Sequence, residues 1–174
     1  MFSGDDRLGS NDLSELKVLQ VFDSCASELS PHDFDEISFP TLKYISTHVH
    51  ANLMSEDIPV PPMILFPKGA NHSLAFLAET AGYDVLGLDW CIEPERARQL
   101  VGGKTALQGN LDPGVLYGGK EGIEKAVKRM CEAFKGGKRV QGWIANLGHG
   151  ITPGVDPEDL RWFFECIHKY SASS

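Results

Sequence analysis

The sequence predicts an α/β protein in which about five strand–helix units follow one another and the strands form a mostly parallel sheet. Three observations support this fold class. Short apolar segments alternate strictly with segments whose apolar residues recur at helical spacing. The short segments show no apolar–polar alternation, which is typical of parallel strands that helices cover. Glycine, proline or polar residues separate the segments, as expected for short connecting loops.

The five predicted strands coincide with the short apolar segments. They span 16–22, 63–66, 85–90, 105–110 and 143–147, and the last of them is predicted to be buried. Each strand ends in small or polar residues, such as Asp23-Ser24 after the first and Gly148-His149 after the fifth. Ligands in parallel α/β proteins bind beyond the carboxyl ends of the strands. His149 is therefore either a binding-pocket residue or a solvated turn histidine.

Capping residues indicate where the predicted helices begin and end. Ser30-Pro31 opens a first helical region, and Pro40, Pro94 and Asp156-Pro157 begin later helices. Gly82, Gly102 and Gly136-Gly137 end helices. The helix faces predicted to be buried carry Leu42, Ile45, Val49 and Leu53; Leu74, Leu77, Ala78 and Ala81; Ile123, Val127, Met130 and Phe134; and Leu160, Phe163, Phe164 and Ile167.

Polar strand ends that share one edge are typical of the catalytic face of a (β/α)8 barrel. A complete barrel needs eight units and about 250 residues, so five units cannot close one. The chain is therefore predicted to be an open sheet or a partial (β/α)8 TIM-type barrel, with an irregular segment over 1–16 and the barrel portion over 17–174. The first strand is not followed by a G-x-G-x-x-G motif, which disfavours a dinucleotide-binding sheet.

The length, composition and charge of the chain indicate the number of domains and disfavour some classes of partner. The chain has 174 residues, of which 42% are hydrophobic, and a formal net charge of −8. One domain with a real core is expected, and nucleic acid and anionic membranes are disfavoured as partners. No apolar run reaches the roughly 18 residues of a membrane span, and the N-terminus has no apolar signal core, so we expect a cytoplasmic protein. The four cysteines are far apart, which disfavours zinc and disulfide frameworks.

Several motifs together resemble one family, that of uroporphyrinogen decarboxylase. The motifs are Leu19-Gln20-Val21-Phe22-Asp23-Ser24, Gly82-Tyr83-Asp84-Val85-Leu86-Gly87-Leu88-Asp89-Trp90, Gln108-Gly109-Asn110-Leu111-Asp112-Pro113, Ile144-Ala145-Asn146-Leu147-Gly148-His149-Gly150 and Asp156-Pro157-Glu158. They occur in the family's order and spacing, and the resemblance covers about residues 17–170.

The resemblance implies a distorted (β/α)8 barrel that decarboxylates the four acetate side chains of uroporphyrinogen, a cyclic tetrapyrrole, to give coproporphyrinogen in haem and porphyrin biosynthesis. It implies no metal and no organic cofactor, a cytoplasmic location and a homodimer. Ser24 matches the family's pocket serine, and His149 matches the histidine of its Asn-Leu-Gly-His-Gly motif. Both are therefore expected to contact the substrate.

The family's N-terminal part has no counterpart in this chain. That part carries an arginine-rich segment, an aspartate that binds the pyrrole N–H groups, and a pocket tyrosine. The chain is thus expected to be the C-terminal portion of the barrel, with no assigned catalytic residue and no turnover by itself. One alternative is a non-catalytic fragment that associates with a full-length subunit. Another is a methyltransferase of the same superfamily, but no cysteine follows His149 before Cys166.

Other polar and aromatic residues have structural interpretations beside functional ones. His48 and His50 are two residues apart, so on a helix they point in different directions. Asp23 and Asp89 either face substrate or accept hydrogen bonds from backbone N–H groups. Asn110 and Asp112 are expected to stabilise their own turn. Trp90, Trp143 and Trp162 are predicted to be core or interface residues, and Lys120, Lys125, Lys128 and Arg129 to form an exposed helix face.

Overall fold

The computed structural model describes residues 16–135 and 142–171, and these form five strands and six α-helices. The strands are β1 (Leu19–Asp23), β2 (Met63–Pro67), β3 (Val85–Gly87), β4 (Ala106–Leu111) and β5 (Trp143–Leu147). The helices are α1 (Pro31–Asp33), α2 (Phe39–Ser55), α3 (Leu74–Thr80), α4 (Pro94–Val101), α5 (Gly119–Lys135) and α6 (Pro157–Ser171). None of the helices in the described ranges is long and apolar enough to cross a membrane.

All five strands lie in one parallel sheet, in the order in which they occur along the chain. The register places Gln108 of β4 between Gly87 of β3 and Ile144 of β5. Within the described residues, β1 and β5 each have one unpaired edge. The predicted parallel α/β class is confirmed, and the sheet is open.

A hydrogen bond across one face indicates that the sheet is curved. Gln108 Nε2 donates to Gln20 Oε1 at 3.3 Å, although β2 and β3 lie between the two strands. Neighbouring strands are about 4.8 Å apart, so a flat sheet would hold β1 and β4 about 14 Å apart. The sheet therefore curls towards the face that carries Gln20 and Gln108. We call this surface the concave face, and it corresponds to the inside of a barrel.

The hydrophobic core lies on the opposite, helix-covered face of the sheet. Leu65, Leu86 and Leu107 occupy neighbouring register positions there and have no exposed surface. Ile123 and Val127 of α5 are equally buried. Burial of these aliphatic side chains is the main stabilising contribution that the sequence pattern predicts.

Local capping signals are found where they were predicted. The Ser30 side chain accepts a hydrogen bond from the N–H of Asp33 at the start of α1. A π-helical segment over Phe34–Ser38 connects α1 to α2. Helix α4 ends at Gly102, which has a left-handed φ of 61° that glycine adopts without steric cost. The predicted Gly136-Gly137 helix end and the N-terminal segment up to residue 15 lie outside the described residues.

Strands β1 and β3 are shorter than predicted. Strand β1 begins at Leu19 instead of Leu16. Strand β3 ends at Gly87, and the chain then turns through Asp89 and Trp90, which were predicted to be strand residues. The turn forms because the Asp89 carboxylate and the Asn110 amide bind backbone groups around it.

Two burial predictions are wrong. Strand β5 was predicted to be buried, but Ile144 and Asn146 are exposed because they lie on the concave face at an unpaired edge of the sheet. Phe164 was assigned to the buried face of α6 and is 53% exposed. Helix α6 instead buries Phe163, Cys166 and Ile167, which form a narrower apolar stripe than the sequence spacing suggested.

Candidate functional site

The carboxyl ends of the five parallel strands define one edge of the sheet. Ser24 directly follows β1, and His149 follows β5 after Gly148. Because every strand runs in the same direction, both residues lie at this edge, as the sequence analysis expected. Both side chains are exposed.

A cleft with a volume of about 350 Å³ opens at this edge and extends over the concave face. Its floor includes two aromatic and three amide side chains: Phe22, Phe66, Gln20, Gln108 and Asn146. Its mouth includes His149, Gly150 and Ile151. Among the described residues, the cleft lining contains His149 and does not contain Ser24. A floor of aromatic rings and amide groups can bind an organic ligand through both apolar contacts and hydrogen bonds.

Asp89 organises the loops at the mouth of the cleft. Its carboxylate, in a residue only 3% exposed, accepts hydrogen bonds from Gly69 N (2.6 Å), Asn71 Nδ2 (2.8 Å) and Cys91 N (2.8 Å). These contacts connect the loop after β2 to the loop after β3. The backbone-binding interpretation of Asp89 therefore agrees with the structure.

The other polar residues at or directly after the ends of strands also bind backbone or side-chain groups. Asn110 does not stabilise its own turn as predicted; its side-chain amide donates to Asp89 O (2.9 Å) and Ile92 O (2.7 Å), on either side of Trp90. Asp112 accepts a hydrogen bond from Gly114 N, as predicted. The Asp23 carboxylate accepts a hydrogen bond from Ser38 Oγ, which connects β1 to the π-helical segment.

Gly148 lies in contact with the backbone of the β3–α4 loop. Its N–H donates to Leu111 O at 2.7 Å. A Cβ atom at this position would lie 2.5 Å from Trp90 N and 2.9 Å from the carbonyl carbon of Asp89. Only glycine fits such a close approach. The next residue, His149, thereby comes beside Trp90, with ring centroids 5.7 Å apart and ring planes at 80°.

Tyr117 holds the loop that follows His149. Its hydroxyl donates to Pro153 O at 2.9 Å and lies 2.8 Å from Thr152 Oγ1. Helix α6 then begins at Pro157, and the carboxylate of the preceding Asp156 accepts a hydrogen bond from Glu158 N. The loop is thus connected to the segment between β4 and α5 on one side and to a capped helix on the other.

Among the described residues, His48 and His50 contact the backbone of their own helix, and Cys131 and Cys166 are buried. His48 Nδ1 lies 2.9 Å from Tyr44 O, and His50 Nδ1 lies 2.7 Å from Ser46 O, so each ring contacts the preceding turn of α2. Burial raises the pKa of the Cys131 and Cys166 thiols. No cluster of three or more histidine, cysteine, aspartate or glutamate side chains able to hold a metal occurs in residues 16–135 and 142–171.

The sequence analysis missed the contact between Trp90 and His149. Trp143 and Trp162 are half-buried, as expected for packing residues, and Trp143 stacks on Phe134. Trp90 instead has 39% of its surface exposed and contacts His149. Its position directly after Asp89, at the polar end of a predicted strand, was the available signal.

A curved parallel sheet with helices on its outer face and a cleft at the carboxyl ends of its strands defines a partial (β/α)8 barrel protein. A solved methyltransferase from Methanosarcina mazei has a similar fold, with a TM-score of 0.70 and 18% identity. The similarity covers 90% of this chain and 43% of that chain.

The sequence model for uroporphyrinogen decarboxylase matches residues 14–170. The chain belongs to the uroporphyrinogen decarboxylase family. It is 48% identical to the uroporphyrinogen decarboxylase of Schizosaccharomyces pombe over 90% of this chain and 43% of that protein. The Danio rerio and Homo sapiens enzymes are 44% and 42% identical over 89% of this chain and 41% of their own length. The chain therefore spans less than half the length of these relatives.

Proposed function

We propose that this chain forms five strand–helix units of a uroporphyrinogen decarboxylase barrel and contributes part of the tetrapyrrole-binding site. Family membership supports this function. The observation that carries it is the position of His149, the histidine of the Asn-Leu-Gly-His-Gly motif, at the mouth of the cleft. Phe22 and Phe66 would contact the macrocycle, and His149 and Ser24 would donate hydrogen bonds to its carboxylates.

The proposed reaction removes one carboxylate at a time from the acetate side chains of uroporphyrinogen. Protonation of a pyrrole carbon makes the ring electron-poor, so the electron pair of the breaking C–C bond can move into it as CO2 leaves. A proton is then added to the former acetate carbon, which becomes a methyl group. The pyrrole carbon that was protonated in the first step then loses its proton. The chemistry needs a proton donor and a group that stabilises the positive ring. His149 and Ser24 are assigned to carboxylate binding, and no residue of this chain is assigned to proton transfer.

The remaining units of the barrel are proposed to come from the part of the family's chain that this one does not match. Three more parallel strands would close an eight-stranded barrel between the unpaired edges of β1 and β5. They would cover the exposed concave face, on which Phe22 is 64% and Ile144 is 43% exposed. On this proposal, the matched residues are the C-terminal portion of the barrel.

The test compares the 174-residue chain alone with the chain co-expressed with the unmatched part of the Schizosaccharomyces pombe relative. Both samples are incubated anaerobically with uroporphyrinogen, and coproporphyrinogen is measured by chromatography. We expect turnover only in the assembled complex, and a reduction of at least about tenfold when His149→Ala is introduced. His48→Ala, which changes an exposed histidine of α2, is the matched control and should retain full activity. An assembled complex that is inactive, or as active with His149→Ala, would contradict the proposal.

A second candidate function is association with a full-length subunit without catalysis. The unpaired edges of β1 and β5 favour it, because exposed strand edges pair with other chains. A second co-expression, with a complete relative in place of its unmatched part, distinguishes the two candidate functions. A mixed complex whose activity per full-length subunit is unchanged or lower would support pure association. We further propose, on the family resemblance alone, that the protein has a cytoplasmic location. On the same ground we propose that the complete protein is a homodimer, which sedimentation of the assembled complex would test.

A further inference from the structure

The orientation of the His149 ring is not determined by its own backbone. Glycine precedes and follows it, and glycine permits a wide range of backbone conformations. The side chain is exposed, and its Nδ1 lies 3.2 Å from Gly150 O, at the long end of the hydrogen-bond range. Its ring packs against that of Trp90, with 5.7 Å between the centroids and 80° between the planes. This is the edge-to-face geometry that aromatic rings prefer.

Trp90 is itself held from several directions. The Asn110 amide binds the carbonyl oxygens of Asp89 and Ile92, on either side of it. The buried Asp89 carboxylate binds the N–H of Cys91. Gly148 lies against the Trp90 backbone N–H, in a space too small for a Cβ atom. The backbone that carries the indole is thus fixed by several contacts, and the indole ring lies beside the ring of His149.

We propose that Trp90 is a positioning residue that orients the His149 imidazole towards the bound ligand, and this inference rests on the proposed function. The indole provides a fixed surface against which the imidazole packs, so that the ring nitrogen not facing Gly150 is available to a ligand carboxylate. Without the indole, His149 would sample several rotamers and lose side-chain entropy when the ligand binds. The effect of Trp90 on ligand binding therefore operates through His149.

The first measurement follows the ring protons of His149 by NMR in the full 174-residue chain, with the signals assigned by His149→Gln. We expect Trp90→Leu to shift them towards random-coil values, because the ring current of the indole is lost. Trp90→Phe retains an aromatic ring and should cause a smaller change. Trp162→Leu, which removes a tryptophan that donates to Lys120 O on α5, is the control and should leave the His149 signals unchanged.

The second measurement is the affinity for uroporphyrin, the fluorescent oxidised form of the proposed substrate. We expect Trp90→Leu to weaken binding about two- to tenfold, and Trp90→Phe to weaken it less. In the His149→Gln background, Trp90→Leu should have no further effect. A purely structural role of Trp90 would instead weaken binding equally in both backgrounds.

The outcomes separate this inference from the function on which it rests. His149 signals that do not move in Trp90→Leu would overturn it, as would equal losses of affinity with and without His149. If neither the wild-type chain nor its assembled complex binds uroporphyrin, the proposed function fails. The histidine signals then decide by themselves whether Trp90 orients His149. The ring signals of the other five histidines exclude general unfolding, because unfolding of Trp90→Leu would shift those signals as well.

Discussion

Gly148 determines how closely the end of β5 approaches the loop after β3. An alanine Cβ at this position would meet backbone atoms of Trp90 and Asp89 at 2.5 and 2.9 Å, and backbone atoms cannot move aside as a flexible side chain can. Gly148→Ala should therefore lower the free energy of unfolding by about 1–3 kcal/mol, the usual range for overpacking. Urea unfolding monitored by circular dichroism measures this difference.

Gly150 provides a control two residues away on the same loop. A Cβ atom there would meet no heavy atom within 4 Å. Gly150→Ala should change the free energy of unfolding by less than about 0.5 kcal/mol. Equal effects of the two substitutions would show that the close approach of Gly148 to Trp90 contributes nothing to stability.

Helices α5 and α6 are joined by a hydrogen-bonded group that consists of Glu124, Lys169 and Tyr170. The Glu124 carboxylate accepts hydrogen bonds from Lys169 Nζ at 2.7 Å and Tyr170 OH at 2.6 Å. The hydrogen bond from Lys169 is the larger cause that lowers the pKa of Glu124, and the bond from Tyr170 is the next. The hydrogen bond to Glu124 in turn raises the pKa of Lys169.

These pKa shifts predict how the contribution of the group to stability depends on pH. The lowered pKa of Glu124 means that its stabilising effect is present above its unfolded pKa of about 4.3 and is lost as pH falls through the folded value. The raised pKa of Lys169 means that its effect is present below its unfolded pKa of about 10.4 and is lost as pH rises through the folded value. Glu124→Gln should therefore reduce stability most between about pH 5 and pH 10.

Unfolding free energies of the wild-type chain and Glu124→Gln at pH 7 and pH 3 test this expectation. The difference between the two proteins should shrink at pH 3. Glu132→Gln is the control, because Glu132 lies 4.0 Å from Lys128 in an exposed pair on α5 alone. Its effect at pH 7 should be smaller, since exposed ion pairs contribute little. A difference for Glu124→Gln that is equally large at pH 3 would rule out the ionic contribution.

The described residues form a partial barrel whose concave face is partly apolar and is exposed at its two edge strands. Phe22 and Ile144 are the large hydrophobic residues most exposed on this face, at 64% and 43%. Exposed apolar faces beside unpaired strand edges promote association between chains. We expect the isolated chain to self-associate, and Phe22→Ser with Ile144→Ser to shift it towards the monomer without a large loss of unfolding free energy.

Sedimentation velocity measures this shift. Tyr44→Ser is the matched control, because Tyr44 is 60% exposed on α2 and is not part of the concave face. It should leave the association unchanged. A chain that is monomeric at all concentrations, or that associates equally after substitution of Phe22 and Ile144, would contradict the assignment of the concave face as the associating surface.

The sequence alone predicted the elements whose signals are local. The alternation of strands and helices, the cap at Ser30, the start of α4 at Pro94 and its left-handed end at Gly102 follow from side-chain and backbone preferences within a few residues. The placement of His149 beyond a parallel strand was predictable in the same way. The contact partners of these residues were not.

Only the tertiary structure determined which residues contact one another at the ends of the strands. Asp89, Asn110 and Trp90 take their roles from residues on neighbouring loops, and Ile144 is exposed because its strand lies at an edge of the sheet. Hydrophobic periodicity predicts which side chains of one segment are buried, but it does not predict which other segment packs against them. The chain therefore encodes its units locally, whereas the cleft forms from contacts between residues that are far apart in sequence.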